Sequence, residues 1–173
     1  MKVSENCKMN ENSDESVAID ATDLRILDLL QRDASLSNQA LAVAVHTSAA
    51  TCLRRVKRLV DAGVIERRVA LLSPQKLGAA QLTAFAQISL DCQGAEHIAA
   101  FEARAVADAG VQQCYRVTPG PDLMLVLQLP DMAAYHALVQ RLFTQDANVR
   151  NVKTFFSVHR AKYETAVPLP AVT

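Results

Sequence analysis

The chain has 173 residues, half of them hydrophobic, which is enough for one ordinary domain or two small ones. No apolar run approaches the roughly 20 residues of a membrane span, and the N-terminus has no apolar core, which excludes a secretory signal. Eighteen basic residues cancel eighteen acidic ones, a whole-chain balance that by itself argues against a nucleic-acid partner.

Counted by segment, the charge reads differently. Residues 1–19 and residues 20–47 each carry two basic and four acidic groups, whereas 48–68 carry Arg54, Arg55, Lys57, Arg58, Arg67 and Arg68 against Asp61 and Glu66, for net +4. The cysteines, Cys7, Cys52, Cys92 and Cys114, form no Cys-x-x-Cys pair and have no histidine at ligand spacing. No metal site and no cofactor is expected, and a reduced, cytoplasmic setting is the simplest reading.

Residues 1–18 are polar and charged and are expected to form a disordered tail. A first helix is predicted from 20 or 22 to 31, with Leu24, Ile26, Leu27 and Leu30 as its apolar set and an acidic first turn. Ser37 is placed to cap a short second helix through Leu41, Ala44 and Val45, and His46 and Thr47 make a tight connection. Ser48 caps a third helix that Gly63 ends. Cys52, Val56 and Leu59 fall on its apolar side, and Thr51, Arg54, Arg55 and Arg58 on a cationic side suited to phosphates and base edges. Two short helices, a tight turn and a longer basic helix make a helix-turn-helix arrangement. Residues 64–70 alternate enough to predict a strand or wing with two more arginines.

Ser73-Pro74-Gln75-Lys76-Leu77-Gly78 is the natural break, and beyond it the period changes. Leu82, Ala84, Ala86, Ile88 and Leu90 alternate as one face of a strand. A helix from about 95 to 109 follows, then strands over 111–118 and 123–129, and a helix bearing Tyr135, Leu138, Val139, Leu142 and Phe143. A last strand over 149–158 puts Val152, Thr154, Phe156 and Val158 on one face. The predicted fold class is α+β, a winged helix-turn-helix domain followed by a ferredoxin-like βαββαβ domain. The expected boundaries are a tail at 1–18, the DNA-binding domain at 19–68, a hinge strand or linker at 69–79, the βαββαβ domain at 80–163 and a C-terminal tail at 164–173. A sheet covered by helices on one side leaves a face for a second subunit, so at least a dimer is expected.

Several stretches together resemble the Lrp/AsnC family of bacterial and archaeal transcriptional regulators. They are Ile19 to Leu27, Leu36-Ser37-Asn38 through Leu41-Ala42, Ser48 to Leu59 with Ala62-Gly63-Val64-Ile65, and Leu72-Ser73-Pro74 with Leu77-Gly78. Val117-Thr118-Pro119-Gly120-Pro121-Asp122 and Pro130-Asp131-Met132 with Tyr135 extend the likeness over residues 19 to about 163. The resemblance implies a regulator that binds double-stranded DNA at a pseudo-palindromic site, senses an amino acid or similar small effector, and forms homodimers that assemble to tetramers or octamers. It places DNA contacts at Ser37, Asn38, Ser48, Ala49, Thr51, Arg54, Arg55 and Arg58. It places effector contacts at Gly120, Asp122, Leu123, Met132, Thr154, Phe155 and Phe156.

The effector loop departs from the family's Gly-x-Tyr/Phe-Asp pattern, reading Gly120-Pro121-Asp122 without the aromatic, and Asp122 reads equally as a turn residue. Two rivals come from other classes. An amino-acid-binding oligomeric module without DNA binding fits the second half but leaves the arginine face unexplained. A siroheme-decarboxylase-like enzyme would need converging histidines, whereas His46, His97, His136 and His159 are scattered, so no catalytic residue is expected.

Overall fold

The computed structural model describes residues 18–74, 76–78 and 81–170. The tail expected over 1–18 lies outside them apart from Ala18. The chain forms two compact units: one holds the chain up to Ala70 together with the segment from Glu164 on, and the other is Leu71–Tyr163.

The first unit is built from α1 (Ala21–Arg32), α2 (Asn38–Ala44) and α3 (Ala49–Asp61). Each helix starts at a side-chain cap that satisfies an otherwise orphaned amide. Asp20 accepts from the Thr22 and Asp23 amides at 2.9 Å, and Asp23 reaches back to the Asp20 amide at 3.2 Å, a reciprocal capping box. Ser37 caps α2 and Ser48 caps α3. Ile26, Leu30, Leu41, Val45, Cys52, Val56 and Leu59 make the core. Burial pushes the Cys52 thiol pKa upward, as suits a cysteine serving as a small hydrophobe. The tight connection between α2 and α3 depends on His46 at φ 55°, and α3 stops at Gly63 at φ 71°. The strand or wing predicted over 64–70 forms no strand: residues 66–70 are exposed, without regular secondary structure and with no paired neighbour among the described residues.

The second unit runs β1 (Leu82–Leu90), α4 (Ala95–Ala107), β2 (Val111–Arg116), β3 (Leu123–Leu129), α5 (Met132–Leu138), a π-helical turn (Val139–Thr144) and β4 (Val149–Phe156). The antiparallel sheet has the order β2-β3-β1-β4, which is the ferredoxin-like arrangement. One face packs Ala84, Ala86, Ile88 and Leu90 of β1 with Leu123, Leu125, Leu127 and Leu129 of β3 against Phe101, Ala105, Leu138, Leu142 and Phe143. Periodicity predicted a single helix under Tyr135 to Phe143; the observed chain widens to π geometry after Leu138, keeping Leu142 and Phe143 buried side by side. The other sheet face carries Phe85, Tyr115 and Phe155, all exposed, with Phe85 paired in register to Phe155 on β4 and Val126 on β3.

Ion pairs tie the helices to each other and to the loops. Arg141 donates to Asp108 at 2.5 and 3.0 Å, and Arg116 donates to Glu102 at 2.5 and 2.6 Å. The Arg141 guanidinium holds the Asp108 carboxyl below the ordinary aspartate range, helped by the Gly110 amide. A depressed folded-state pKa contributes stability that is complete above the unfolded value of about 4 and is lost as pH falls through the lower folded value. Asp108→Asn is therefore expected to flatten part of the acid limb of a urea-denaturation stability profile below about pH 5. Stability at pH 7 should fall as well; an unchanged acid slope would contradict the assignment.

Candidate nucleic-acid interface and effector site

The basic helix is α3, and its back is anchored by Cys52, Val56 and Leu59, all buried. At its start, Ser48 Oγ accepts the Thr51 amide at 3.2 Å and donates to Thr51 Oγ1 at 2.8 Å. Ala49 and Arg54 are exposed, and Thr51 is half-buried. Ser37 Oγ accepts the Ala40 amide at 3.1 Å, and Asn38 opens α2 beside it. Arg54 and its neighbour Lys57 have no carboxylate at ion-pair distance among the described residues.

Arg55 and Arg58 are placed differently from the sequence reading, which put them on one open cationic face. Arg55 Nη1 donates to Asp20 Oδ2 at 2.6 Å and to Asp23 Oδ1 at 2.9 Å. Arg58 donates to Asp23 Oδ2 through Nη2 and to the Ala18 carbonyl at 3.3 Å through Nη1. The side chain of Asp23 is 0% exposed, those of Arg55 and Arg58 26% and 44%. The 100° helical step puts positions 55 and 58 on the flank turned toward α1, where the two aspartates of its first turn wait. Arg55 Nε is buried without a partner among the described residues. The Asp23 amide and the Arg55 guanidinium hold the Asp20 carboxyl below its ordinary range. Sequence reasoning took Asp20 and Asp23 as helix-end charges only; the available signal was a net-negative segment directly before a net-positive one.

The effector candidates do not converge within one chain. Asp122 Oδ2 accepts the Leu90 amide at 2.7 Å, and the Asp122 amide donates to the Ile88 carbonyl at 2.9 Å, so this residue fastens the β2–β3 loop to the end of β1. Gly120, at φ 124°, lies in that loop. Leu123 is wholly buried in the sheet core and shapes the base of the loop instead of lining a surface. Phe156 pairs with Ala84 at the far end of β1, six residues or about 20 Å from Leu90. Phe155 points to the open sheet face, opposite to Phe156, because strand side chains alternate. Met132 is exposed at the start of α5.

Thr154 and Phe156 do share a groove of about 450 Å³ between β4 and the α5–π segment. Tyr135 donates to Thr154 Oγ1 at 2.9 Å and meets Phe156 edge-on, ring centres 5.0 Å apart. Arg150 and Asn151 also line it, over the apolar Val139, Phe143 and Val152. Sequence reading treated Tyr135 as a helix core position and did not single out Arg150 or Asn151. Nothing in their spacing marks them, since the groove exists only because the helix layer stops short of edge strand β4.

Removing the central carboxylate would leave two guanidiniums facing each other across α1. Asp23→Ala is expected to destabilise the first unit by roughly 2–3 kcal/mol in urea unfolding, less than a fully buried pair because both arginines keep solvent contact. A loss below about 0.5 kcal/mol, the ordinary range for a surface substitution, would show that the pairs are ornamental.

Residues 19–66 match a family profile for winged helix-turn-helix DNA-binding domains, and residues 83–167 match the Lrp/AsnC ligand-binding domain. An HTH-type transcriptional regulator of Haemophilus influenzae is 34% identical over 151 residues, covering 87% of this chain and 89% of its own. The Escherichia coli K12 DNA-binding transcriptional activator DecR is 34% identical over 151 residues, covering 87% and 99%. Among solved structures, an AsnC family regulator from Agrobacterium tumefaciens superimposes with a TM-score of 0.78 at 33% identity, over 87% of this chain and 97% of the other. A transcriptional regulator of Neisseria meningitidis in complex with L-Met gives 0.77 at 30% identity, over the same shares. With a DNA-binding helix-turn-helix unit, a βαββαβ ligand-binding unit and these relatives along nearly its whole length, the chain belongs to the Lrp/AsnC family of transcriptional regulators.

Proposed function

We propose that this regulator works in the cytoplasm as a homo-oligomer, performs no catalysis, and has its DNA affinity or assembly set by an amino acid. The observation that carries the DNA half is Arg54, an exposed cation on α3 with no carboxylate partner among the described residues. In this reading Arg54 takes a guanine edge in the major groove, with Ser48, Ala49 and Thr51 at the same helix end. Ser37 and Asn38 meet phosphate at the start of α2. Arg55 and Arg58 orient α3 on α1, and the exposed part of Arg58 reaches a backbone phosphate. Pairing through the open sheet face, where Phe85, Tyr115 and Phe155 are exposed, supports a dimer and hence a pseudo-palindromic site. Further assembly to tetramers or octamers belongs to the same proposal.

The groove beside β4 supports the amino-acid half. Arg150 offers a guanidinium for a carboxylate, Asn151 and the Tyr135–Thr154 pair offer polar contacts, and Phe143 and Phe156 bound an apolar side chain. The L-Met bound by the Neisseria regulator is of this chemical class.

Two measurements test the halves separately. Arg54→Ala should weaken operator binding roughly tenfold or more, with a smaller loss on random DNA, in anisotropy titrations over a salt series. Equal affinity for both sequences before and after the change would remove Arg54 from base reading. For the effector, calorimetry with each of the common amino acids should find one or a few that bind. Arg150→Ala should weaken that binding about 10- to 100-fold while leaving effector-free DNA affinity unchanged; unaltered binding would move the site elsewhere.

A further inference from the structure

The C-terminal segment packs with the first unit and not with the sheet it leaves. Gln31, near the end of α1, grips one residue of that segment, Val167, with both halves of its amide. Its Nε2 donates to the Val167 carbonyl at 3.2 Å, and its Oε1 accepts the Val167 amide at 3.0 Å. Two residues on, Leu169 is half-buried and with Pro170 forms one wall of a groove of about 340 Å³. The opposite wall is Leu24, Arg25, Asp28 and Leu29 of α1 with Ala44 and Val45 at the end of α2. No residue of α3 lines it, so the docked segment leaves the DNA-facing helix uncovered.

We propose that residues 164–170 are a strap: a second tether, besides the linker after Ala70, that holds the DNA-binding unit by its α1–α2 flank. The strap begins eight residues after β4 ends at Phe156, so the same chain that forms the edge of the sheet also restrains the reading head. The amide grip sets the register of an extended segment the way a strand pair would, and Leu169 supplies the apolar anchor. A head held at two points has less freedom to spread or close on DNA than one held by a single linker. In the paired assembly proposed above, on which this consequence rests, the strap narrows the half-site spacings that two heads accept.

The full-length protein and its Gln31→Ala, Gln31→Glu and Leu169→Asp variants test this by amide exchange and operator binding. In the native chain the Val167 amide should exchange about tenfold or more slower than in a free peptide, and Gln31→Ala and Leu169→Asp should abolish that protection. Gln31→Glu keeps size and the acceptor for the Val167 amide but sets a carboxylate oxygen against the Val167 carbonyl, so it should weaken docking while lowering that protection only in part. On operators with 2 base pairs inserted between half-sites, the native protein should lose about tenfold in affinity and the variants about threefold or less. Val167 exchanging at the free-peptide rate in the native protein, or spacing selectivity identical in all four proteins, would overturn the strap. Sedimentation of the same samples separates the two layers: a monomeric mass overturns the paired heads, while the exchange result still decides the docking.

Discussion

One buried carboxylate organises the reading head. Asp23 has no solvent exposure, caps the start of its own helix and receives both Arg55 and Arg58 from α3. A charge so placed is tolerable only when its oxygens are fully occupied, and here every donor except a backbone amide comes from the basic helix. The angle at which α3 crosses α1 is therefore set by electrostatics on one flank and by Cys52, Val56 and Leu59 packing on the other. With Arg55 and Arg58 paired to the aspartates of α1, Arg54 and Lys57 remain as the exposed α3 cations without a carboxylate partner among the described residues. A helix that looks uniformly cationic in sequence is divided by its neighbour into a flank paired to α1 and a flank open to solvent.

The effector domain shows a comparable division of labour. Asp122, in the position where the family resemblance implies a ligand contact, is occupied with the Leu90 amide and keeps the β2–β3 loop closed on β1. The concave surface lies instead along β4, where the helix layer ends and a π-helical turn lets Leu142 and Phe143 stay buried without covering Thr154 or Phe156. Both arrangements follow from the same topology. β4 is an edge strand, so it has one flank open to a ligand or to another chain, and the segment leaving it runs on to the DNA-binding unit.

Much of this was legible along the chain because it depends on local chemistry. Asp20, Ser37 and Ser48 announce helix starts, Gly63 a helix end, and His46 with Thr47 a tight connection. Leu82 to Leu90 and Leu123 to Leu129 display the period-two burial that makes them neighbouring central strands. Such signals act over one turn or one strand, and nothing distant can easily reverse them. The stretch 64–70, read as a strand or wing, forms no strand for the complementary reason: alternation describes a strand only if a partner exists to accept its hydrogen bonds, and here none is paired with it among the described residues.

By itself, then, the sequence determined the element order, the two-domain plan, the buried faces and which helix is basic, since those depend on spacing and on the side chains of adjacent residues. Only the tertiary structure decided which arginines of that helix are spent on Asp20 and Asp23, that Leu123 is core while Thr154 and Phe156 border a groove, and that Val167 is held by Gln31 across 136 positions. Each of these depends on the approach of groups far apart in the chain. The free energy of such contacts comes from geometry and desolvation at the meeting point, quantities that no local pattern encodes.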